Sequence, residues 1–156
     1  MTRILMVCLG NICRSPLAEE ILRMKLKSSS LTEVSVDSAG TSEYHIGEHP
    51  DKRSTANARN HGVDISRHLG RQFQKNDFDK YDFIYVMDSS NYTDVMAQAR
   101  SEADKAKVGL LLNELHPGKN ESVPDPYFGG EEGFELVFKL LDESCTCIIN
   151  KLLTES

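Results

Sequence analysis

The chain has 156 residues, a length that suits one domain with a full hydrophobic core, so we expect a single domain over residues 1–156. Its formal net charge of −6 argues against nucleic acid as a partner, and any attraction for an anionic substrate must therefore be local. No apolar run is long enough to span a membrane, and four cysteines are too few for a secreted disulfide scaffold. We predict a cytoplasmic protein, a monomer or weak dimer, with no membrane partner.

Strands alternate with helices along the chain. In chain order the predicted elements are a strand at Arg3–Leu9, a helix at Pro16–Lys27, a strand at Glu33–Ser38, a polar loop at Ala39–His49, a helix at Pro50–Asn60, a strand at Phe83–Met87, a helix at Asn91–Arg100, a strand at Val108–Leu112, an irregular stretch at Leu115–Gly130 and a closing helix at Glu131–Leu153. This alternation predicts an α/β fold in which right-handed crossovers build a parallel sheet with helices on both faces. Ligands of such sheets bind at the carboxyl ends of the strands, near the point where the strand order reverses.

The most informative segment, Cys8–Pro16, joins the first strand to the first helix. Five residues separate Cys8 from Arg14, and Ser15 follows directly. A strand that turns tightly into a helix leaves backbone N–H groups unpaired at the positive end of the helix, which favours a bound anion. Cys8 would supply a nucleophile, Arg14 a planar fork for two phosphate oxygens, and Ser15 a hydroxyl that holds the thiolate.

The spacing of these residues is only partly specific. A cysteine and an arginine at this separation would occur by chance in about one chain in five of this kind, and the following serine lowers that to about 1%. The alternative is that Cys8 is a small buried hydrophobic residue and Arg14 a solvated helix residue. The position between a strand and a helix favours the anion pocket.

The segment Val7–Pro16 resembles the signature loop of the low-molecular-weight protein tyrosine phosphatases, and it lies near the amino terminus as in that family. The chain length, the order of the elements and the late Asp125-Pro126-Tyr127 also match. The resemblance implies a doubly wound four-stranded parallel sheet. It also implies metal-free hydrolysis of phosphotyrosine in proteins and of small aryl phosphates, without a cofactor, through a phosphocysteine on Cys8. The phosphate would be bound by Leu9, Gly10, Asn11, Ile12, Cys13, Arg14 and Ser15.

Asp125 is the candidate general acid. Pro124 and Pro126 flank it, so it lies on a stiffened loop that resists helix formation. It would give a proton to the leaving group and then take one from the water that attacks the phosphocysteine. The alternative is an aspartate that caps a turn beside proline, but the Cys8 loop and Tyr127 favour the acid.

Other residues are expected to support the loop. Asn11 tolerates the left-handed backbone that a tight anion loop needs, and the resemblance suggests that its side chain is tied to Ser38 and His68. A surface histidine is the alternative for His68. Asp88, at the carboxyl end of a strand, would orient the loop or Arg14, or would simply cap a helix.

Tyr44, Tyr127 and Phe128 resemble the aromatic walls that hold the substrate ring, although ordinary core or surface aromatics are the alternative. Relatives often have a second tyrosine where this chain has Phe128, so regulation by phosphorylation at that position is excluded. Cys13 shares the loop with Cys8. Oxidation would close a reversible disulfide that shields Cys8, and the alternative is a packing role for Cys13.

Other functions with a similar loop are disfavoured. Arsenate reductases of similar fold relay the oxidation through cysteines in mid-chain, and this chain has none between Cys13 and Cys145. A phosphotyrosine-binding module without activity would be expected to lack Cys8 or Asp125, and both are present. A structural zinc site is disfavoured because the four cysteines lack the usual paired spacing.

Overall fold

The computed structural model describes residues 1–126 and 130–155, and a parallel sheet forms its centre. The four strands are β1 (Thr2–Cys8), β2 (Val34–Gly40), β3 (Phe83–Val86) and β4 (Val108–Leu110). They are hydrogen-bonded in the order β2-β1-β3-β4, and every pairing is parallel. The predicted α/β fold with a four-stranded parallel sheet is confirmed.

Helices flank this sheet. In the described part of the chain they are α1 (Arg14–Lys27), α2 (Lys52–Asn60), α3 (Asp77–Lys80), α4 (Ser89–Met96), α5 (Glu102–Ala106), α6 (Leu112–Leu115) and α7 (Glu131–Glu155). The sequence analysis missed α3, α5 and α6 because four or five residues are too few to show a helical period. Across residues 1–126 and 130–155, no helix combines the length and the apolar character needed to cross a bilayer.

Several predicted strand ends were wrong by one or two residues. The first strand ends at Cys8 rather than Leu9. The fourth ends at Leu110 rather than Leu112, because Leu112 already begins α6. Leu112 is buried in this helix, and a buried strand would also place a leucine inside the protein, so hydrophobicity alone could not distinguish the two elements. The second strand continues to Gly40, which pairs with Cys8, where a polar loop was predicted from Ala39 onward.

Helix ends also differ from the predictions, and local hydrogen bonds explain two of them. The second helix begins at Lys52 rather than Pro50, because the Asp51 carboxylate caps it. The helix that begins at Ser89 ends at Met96 rather than Arg100. The backbone N–H and guanidinium of Arg100 bind Asp104, which belongs to the next helix.

Two hydrophobic cores lie on opposite faces of the sheet, because successive side chains of β1 point to opposite sides. Ile4 and Met6 are fully buried on the face that α1 and α7 cover. Leu5 and Val7 are fully buried on the other face, against residues that include Phe73, Phe78 and Val95. Burial of each such side chain stabilises the fold by about 1.5–3 kcal/mol. Packing on both faces therefore holds β1 in place.

β1 ends where the strand order reverses. The chain leaves β1 for β2 on one side and then crosses to β3 on the other side. Cys8 is the last residue of β1, so the loop that follows it lies at the position where parallel sheets of this kind bind ligands.

Candidate active site

The Cys8 thiol lies beneath the turn that joins β1 to α1. Its Sγ accepts a hydrogen bond from the Asn11 N–H at 3.3 Å and lies 3.0 Å from Ser15 Oγ, in the first turn of α1. Cys8 is 2% exposed. The Asn11 N–H therefore donates to this sulfur, and the Ser15 hydroxyl lies within hydrogen-bond distance of it at the start of α1.

Asn11 occupies the tight turn of the loop. Its φ of 56° lies in the left-handed region, which asparagine tolerates. Its buried Nδ2 donates to Ser15 Oγ at 2.7 Å and to Ser38 Oγ at 3.0 Å. Its Oδ1 accepts from His68 Nε2 and from the Arg71 N–H, each at 3.0 Å. The amide thus uses all four of its hydrogen-bonding positions, and it contacts both residues expected for it.

Glu19 belongs to this network, and the sequence analysis missed it. Ser38 Oγ donates to Glu19 Oε1 at 2.5 Å, and His68 Nδ1 lies 3.7 Å from the same oxygen. Burial lowers the pKa of His68, and the Glu19 carboxylate opposes that shift. A signal for Glu19 was present in the sequence, because residues four apart in a helix share a face and Glu19 follows Ser15 by four.

Arg14 is almost completely buried, with 2% of its side chain exposed. Its Nη1 donates to Asp88 Oδ2 at 2.7 Å and to the Val123 carbonyl at 2.9 Å. Its Nη2 lies 3.7 Å from Asp125 Oδ2, which is too long for a hydrogen bond. Burial lowers the pKa of the guanidinium, but the negative charges of Cys8, Asp88 and Asp125 raise it on balance. Arg14 therefore remains charged, and Asp88 fixes one side of its fork.

Asp88 fills both of the roles that the sequence left open. Its Oδ2 accepts from Arg14, and its Oδ1 accepts from the Asn91 N–H at 2.8 Å as the N-cap of α4. The cap holds the carboxylate rigidly, so the arginine that it binds is held as well.

A cavity of about 220 Å³ lies over the loop. Its lining comprises Cys8, Leu9, Gly10, Ile12, Cys13, Arg14, Ser42, Tyr44, His45 and Asp125. The three predicted catalytic residues, Cys8, Arg14 and Asp125, thus line one cavity. Tyr44 also lines it, with 84% of the residue exposed to solvent. Tyr127 and Phe128 lie outside the described residues. A larger groove of about 520 Å³ lies beside α1 and α7, and its lining includes neither cysteine nor arginine.

Gly40 lets β2 approach the loop closely. A Cβ atom at Gly40 would lie 2.8 Å from the Leu9 carbonyl oxygen and 3.0 Å from the Asn11 nitrogen. Any side chain here would displace backbone rather than a flexible side chain. Sequence reasoning missed this role, because a glycine at the end of a strand does not reveal which backbone it faces.

The four cysteines are free. Burial, with a smaller contribution from the charge of Asp51, raises the pKa of the Cys13 thiol far above its ordinary value. Burial also raises the pKa of Cys145 to about 12, which suits a packing residue inside the protein. Among residues 1–126 and 130–155, no three His, Cys, Asp or Glu side chains are grouped so as to hold a metal ion.

The fold and the loop together define a class of α/β proteins in which a cysteine at the end of the first strand lies beneath a tight turn into the first helix, beside a buried arginine. Residues 3–156 match the description low molecular weight phosphotyrosine protein phosphatase. The enzyme of that name from Gallus gallus is 40% identical over 151 residues, which cover 95% of this chain and 94% of the relative.

Solved structures give the same result. A protein tyrosine phosphatase from Entamoeba histolytica superposes with a TM-score of 0.92 and 35% identity, over 99% of both chains. A Drosophila arginine phosphatase superposes with a TM-score of 0.87 and 34% identity, over 97% of this chain and 98% of that one. The chain belongs to the low molecular weight phosphotyrosine protein phosphatase family, and the predicted resemblance is confirmed.

The close approach at Gly40 gives a test of the loop geometry. Gly40→Ala should lower the rate of p-nitrophenyl phosphate hydrolysis by about 10- to 100-fold, because a shift of the loop by less than 1 Å misplaces the reacting groups. Gly109→Ala, in β4, is the matched control, since a Cβ there meets nothing within 4 Å. Equal rates for the two variants would show that the approach of β2 does not set the loop position.

Proposed function

We propose that this protein hydrolyses phosphotyrosine in proteins, and small aryl phosphates, through a phosphocysteine on Cys8. The observation that carries the proposal is the common cavity, in which Cys8, Arg14 and Asp125 line one space. In the first step the Cys8 thiolate attacks phosphorus and the bond from phosphorus to the aryl oxygen breaks. In the second step water attacks the phosphocysteine, the bond from phosphorus to sulfur breaks, and inorganic phosphate leaves. The whole chain would act as one phosphatase domain.

The transition state carries its charge on the equatorial phosphate oxygens. We infer that the backbone N–H groups of residues 9–15 and the Arg14 guanidinium bind these oxygens. Nη1 of Arg14 is already committed to Asp88 and Val123, so Nη2 is the side of the fork that would turn to the phosphate. These groups supply the positive charge that a metal supplies in other phosphatases, and the proposed reaction therefore needs no metal.

Proton transfer is assigned to Asp125. Its carboxylate lies on the cavity wall near Arg14, on the segment that follows the buried Val123. In the first step it would protonate the departing phenolate, and in the second it would take a proton from the attacking water. The side chain is 39% exposed, so it can exchange its proton with solvent between steps.

The cavity walls favour an aryl substrate. Leu9 and Ile12 present apolar surface, and the exposed Tyr44 offers a ring face at the opening. Because one structural relative is an arginine phosphatase, phosphoarginine is the substrate to compare with phosphotyrosine. The apolar surface of Ile12 favours the tyrosine ring over a guanidinium.

A cytoplasmic location remains a prediction from the cysteine usage.

Cys8→Ser should lower p-nitrophenyl phosphate hydrolysis by at least about 1,000-fold, because a serine hydroxyl at this site is a far weaker nucleophile than a thiolate. Cys147→Ser, on α7 away from the cavity, should match the parent. The parent should keep its activity in a metal chelator and lose it to vanadate, which mimics the transferring phosphoryl group. Activity that survives Cys8→Ser, or that needs added metal, would end the phosphocysteine mechanism.

The leaving group decides the role of Asp125. Asp125→Asn should lower the hydrolysis of a phosphotyrosine peptide by about 100-fold or more, because tyrosine leaves slowly without a proton. The loss should be smaller with p-nitrophenyl phosphate, whose phenolate leaves unaided. Asp94→Asn, an exposed aspartate on α4, controls for the lost negative charge. An equal loss with both substrates would exclude Asp125 as the acid for the leaving group.

We also propose that Cys13 protects Cys8 during oxidation. Peroxide would oxidise the Cys8 thiolate to a sulfenic acid. Cys13 would then attack that sulfur, and hydroxide would leave as water with the Cys13 proton. Both cysteines line the same cavity, and burial raises the pKa of the Cys13 thiol. A raised pKa slows the attack, so the proposed disulfide would depend on the shared position of the two cysteines in the loop and not on a strongly nucleophilic Cys13.

Recovery from peroxide tests this role. After a short exposure, thiol treatment should restore most of the activity of the parent but little of the activity of Cys13→Ser, each measured against its own untreated sample. Cys147→Ser should recover as the parent does. Equal recovery by Cys13→Ser and the parent would leave Cys13 as a packing residue only.

A further inference from the structure

An ion pair outside the cavity is connected to the Cys8 thiol through a continuous chain of hydrogen bonds. Asp77 begins α3 and is 2% exposed. Its two carboxylate oxygens accept from the two terminal nitrogens of Arg71, each at 3.1 Å. This bidentate geometry holds a guanidinium in one orientation, and a lysine cannot reproduce it.

Arg71 also contacts the loop through its backbone. Its N–H donates to Asn11 Oδ1 at 3.0 Å, and its carbonyl accepts from the Gly40 N–H at 2.8 Å. Arg71 lies in a connecting segment outside the named strands and helices, and an isolated parallel bridge between Gln72 and Gly40 joins this segment to β2. The fork to Asp77 ties that segment to α3, whose Phe78 is fully buried in the core.

The Arg71 N–H sets the direction of the whole hydrogen-bond chain. A backbone N–H can only donate, whereas a histidine nitrogen can donate or accept. The atom of Asn11 that faces Arg71 must therefore be the carbonyl oxygen, and Nδ2 must face Ser15. Because Ser15 Oγ accepts from Nδ2, its own hydrogen has two acceptors within reach, Cys8 Sγ at 3.0 Å and the Ala39 carbonyl at 3.4 Å, and the sulfur is the nearer.

We propose that Asp77 is a positioning residue for the Cys8 thiolate. It acts through Arg71, whose backbone N–H orients the Asn11 amide so that Ser15 donates to the sulfur. The proposal rests on the proposed role of Cys8 as nucleophile, and it assigns the reactivity of that thiol partly to the ion pair of Arg71 and Asp77, at the edge of the core that contains Phe78. Loss of the fork should loosen the connecting segment at Arg71, although its bridge to Gly40 remains, so that the Asn11 amide can turn and the hydrogen bond to sulfur weakens.

The test is the alkylation rate of Cys8 by iodoacetamide, followed by mass spectrometry of the Cys8 peptide. At about pH 5.5 an ordinary thiol is almost fully protonated, so rapid reaction there reports a stabilised thiolate. In Asp77→Asn the ratio of rates at about pH 5.5 and pH 8.5 should fall three- to tenfold, roughly the effect of weakening one hydrogen bond to a charged group. Arg71→Lys, which keeps the charge and the backbone N–H but loses the fork, should give a smaller fall.

Tyr81→Phe is the matched control for general loosening of the same cluster. The Tyr81 hydroxyl donates to Asp37 at 2.8 Å and lies 3.4 Å from Arg71, so its removal disturbs the cluster and leaves both bonds between Arg71 and Asp77. Burial raises the pKa of Tyr81 to about 12, so the hydroxyl is neutral throughout the assay. This variant should unfold at a lower temperature and keep the parent ratio of alkylation rates.

Two results would overturn the proposal. The first is a parent ratio in both Asp77→Asn and Arg71→Lys, which would make the ion pair purely structural. The second is an equal fall in Tyr81→Phe, which would make the effect one of general stability. If Asp77→Asn does not fold, Arg71→Lys decides between these outcomes. Alkylation needs no turnover, so the result is independent of whether Cys8→Ser abolishes phosphatase activity.

Discussion

The site depends on the side-chain amide of Asn11. In a left-handed turn between a strand and a helix, its four hydrogen bonds join the end of β1, the start of α1, β2 and the segment around residues 68–71. A buried amide with any of these positions unfilled would cost about 1–3 kcal/mol for each. Any loop conformation that breaks one of these hydrogen bonds is therefore strongly disfavoured. The network thus favours a single conformation of the loop in the absence of phosphate.

A second fixed point is the pair of Arg14 and Asp88. A buried guanidinium is stable only beside a compensating charge, and Asp88 supplies it from the carboxyl end of the neighbouring strand, β3. The same carboxylate caps α4, the helix that follows β3. The orientation of Arg14, at the start of α1, is therefore coupled to the start of α4. The switch point between β1 and β3 thus brings together the Cys8 thiol at the end of one strand and, just after the other, the carboxylate that anchors Arg14.

Local rules predicted much of this arrangement, and tertiary contacts determined the rest. The order of Cys8, Arg14 and Ser15 between a strand and a helix is a local pattern, and the sequence located the loop from it. The parallel sheet followed from the alternation of elements. By contrast, the contact of Gly40 with Leu9 and the contact of Arg71 with Asn11 join residues far apart in the chain, and neither residue type carries a local signal for its partner. The short helices α3, α5 and α6 were missed because tertiary packing, not a helical period, forms them.

The proposed mechanism requires an acidic protein to bind a dianion. Charges are screened over about 8 Å at physiological ionic strength, so the net charge of −6 acts weakly inside a cavity compared with groups in contact with the phosphate. Arg14 is the only permanently charged base among the described residues that line that cavity. In the proposed mechanism the remaining attraction comes from backbone N–H groups, which bring no counter-charge and need no further desolvation once the turn has formed. A fixed backbone conformation would therefore itself be the main binding element of the proposed mechanism, and the residues that hold that conformation would matter for phosphate binding as much as those that would touch the phosphate.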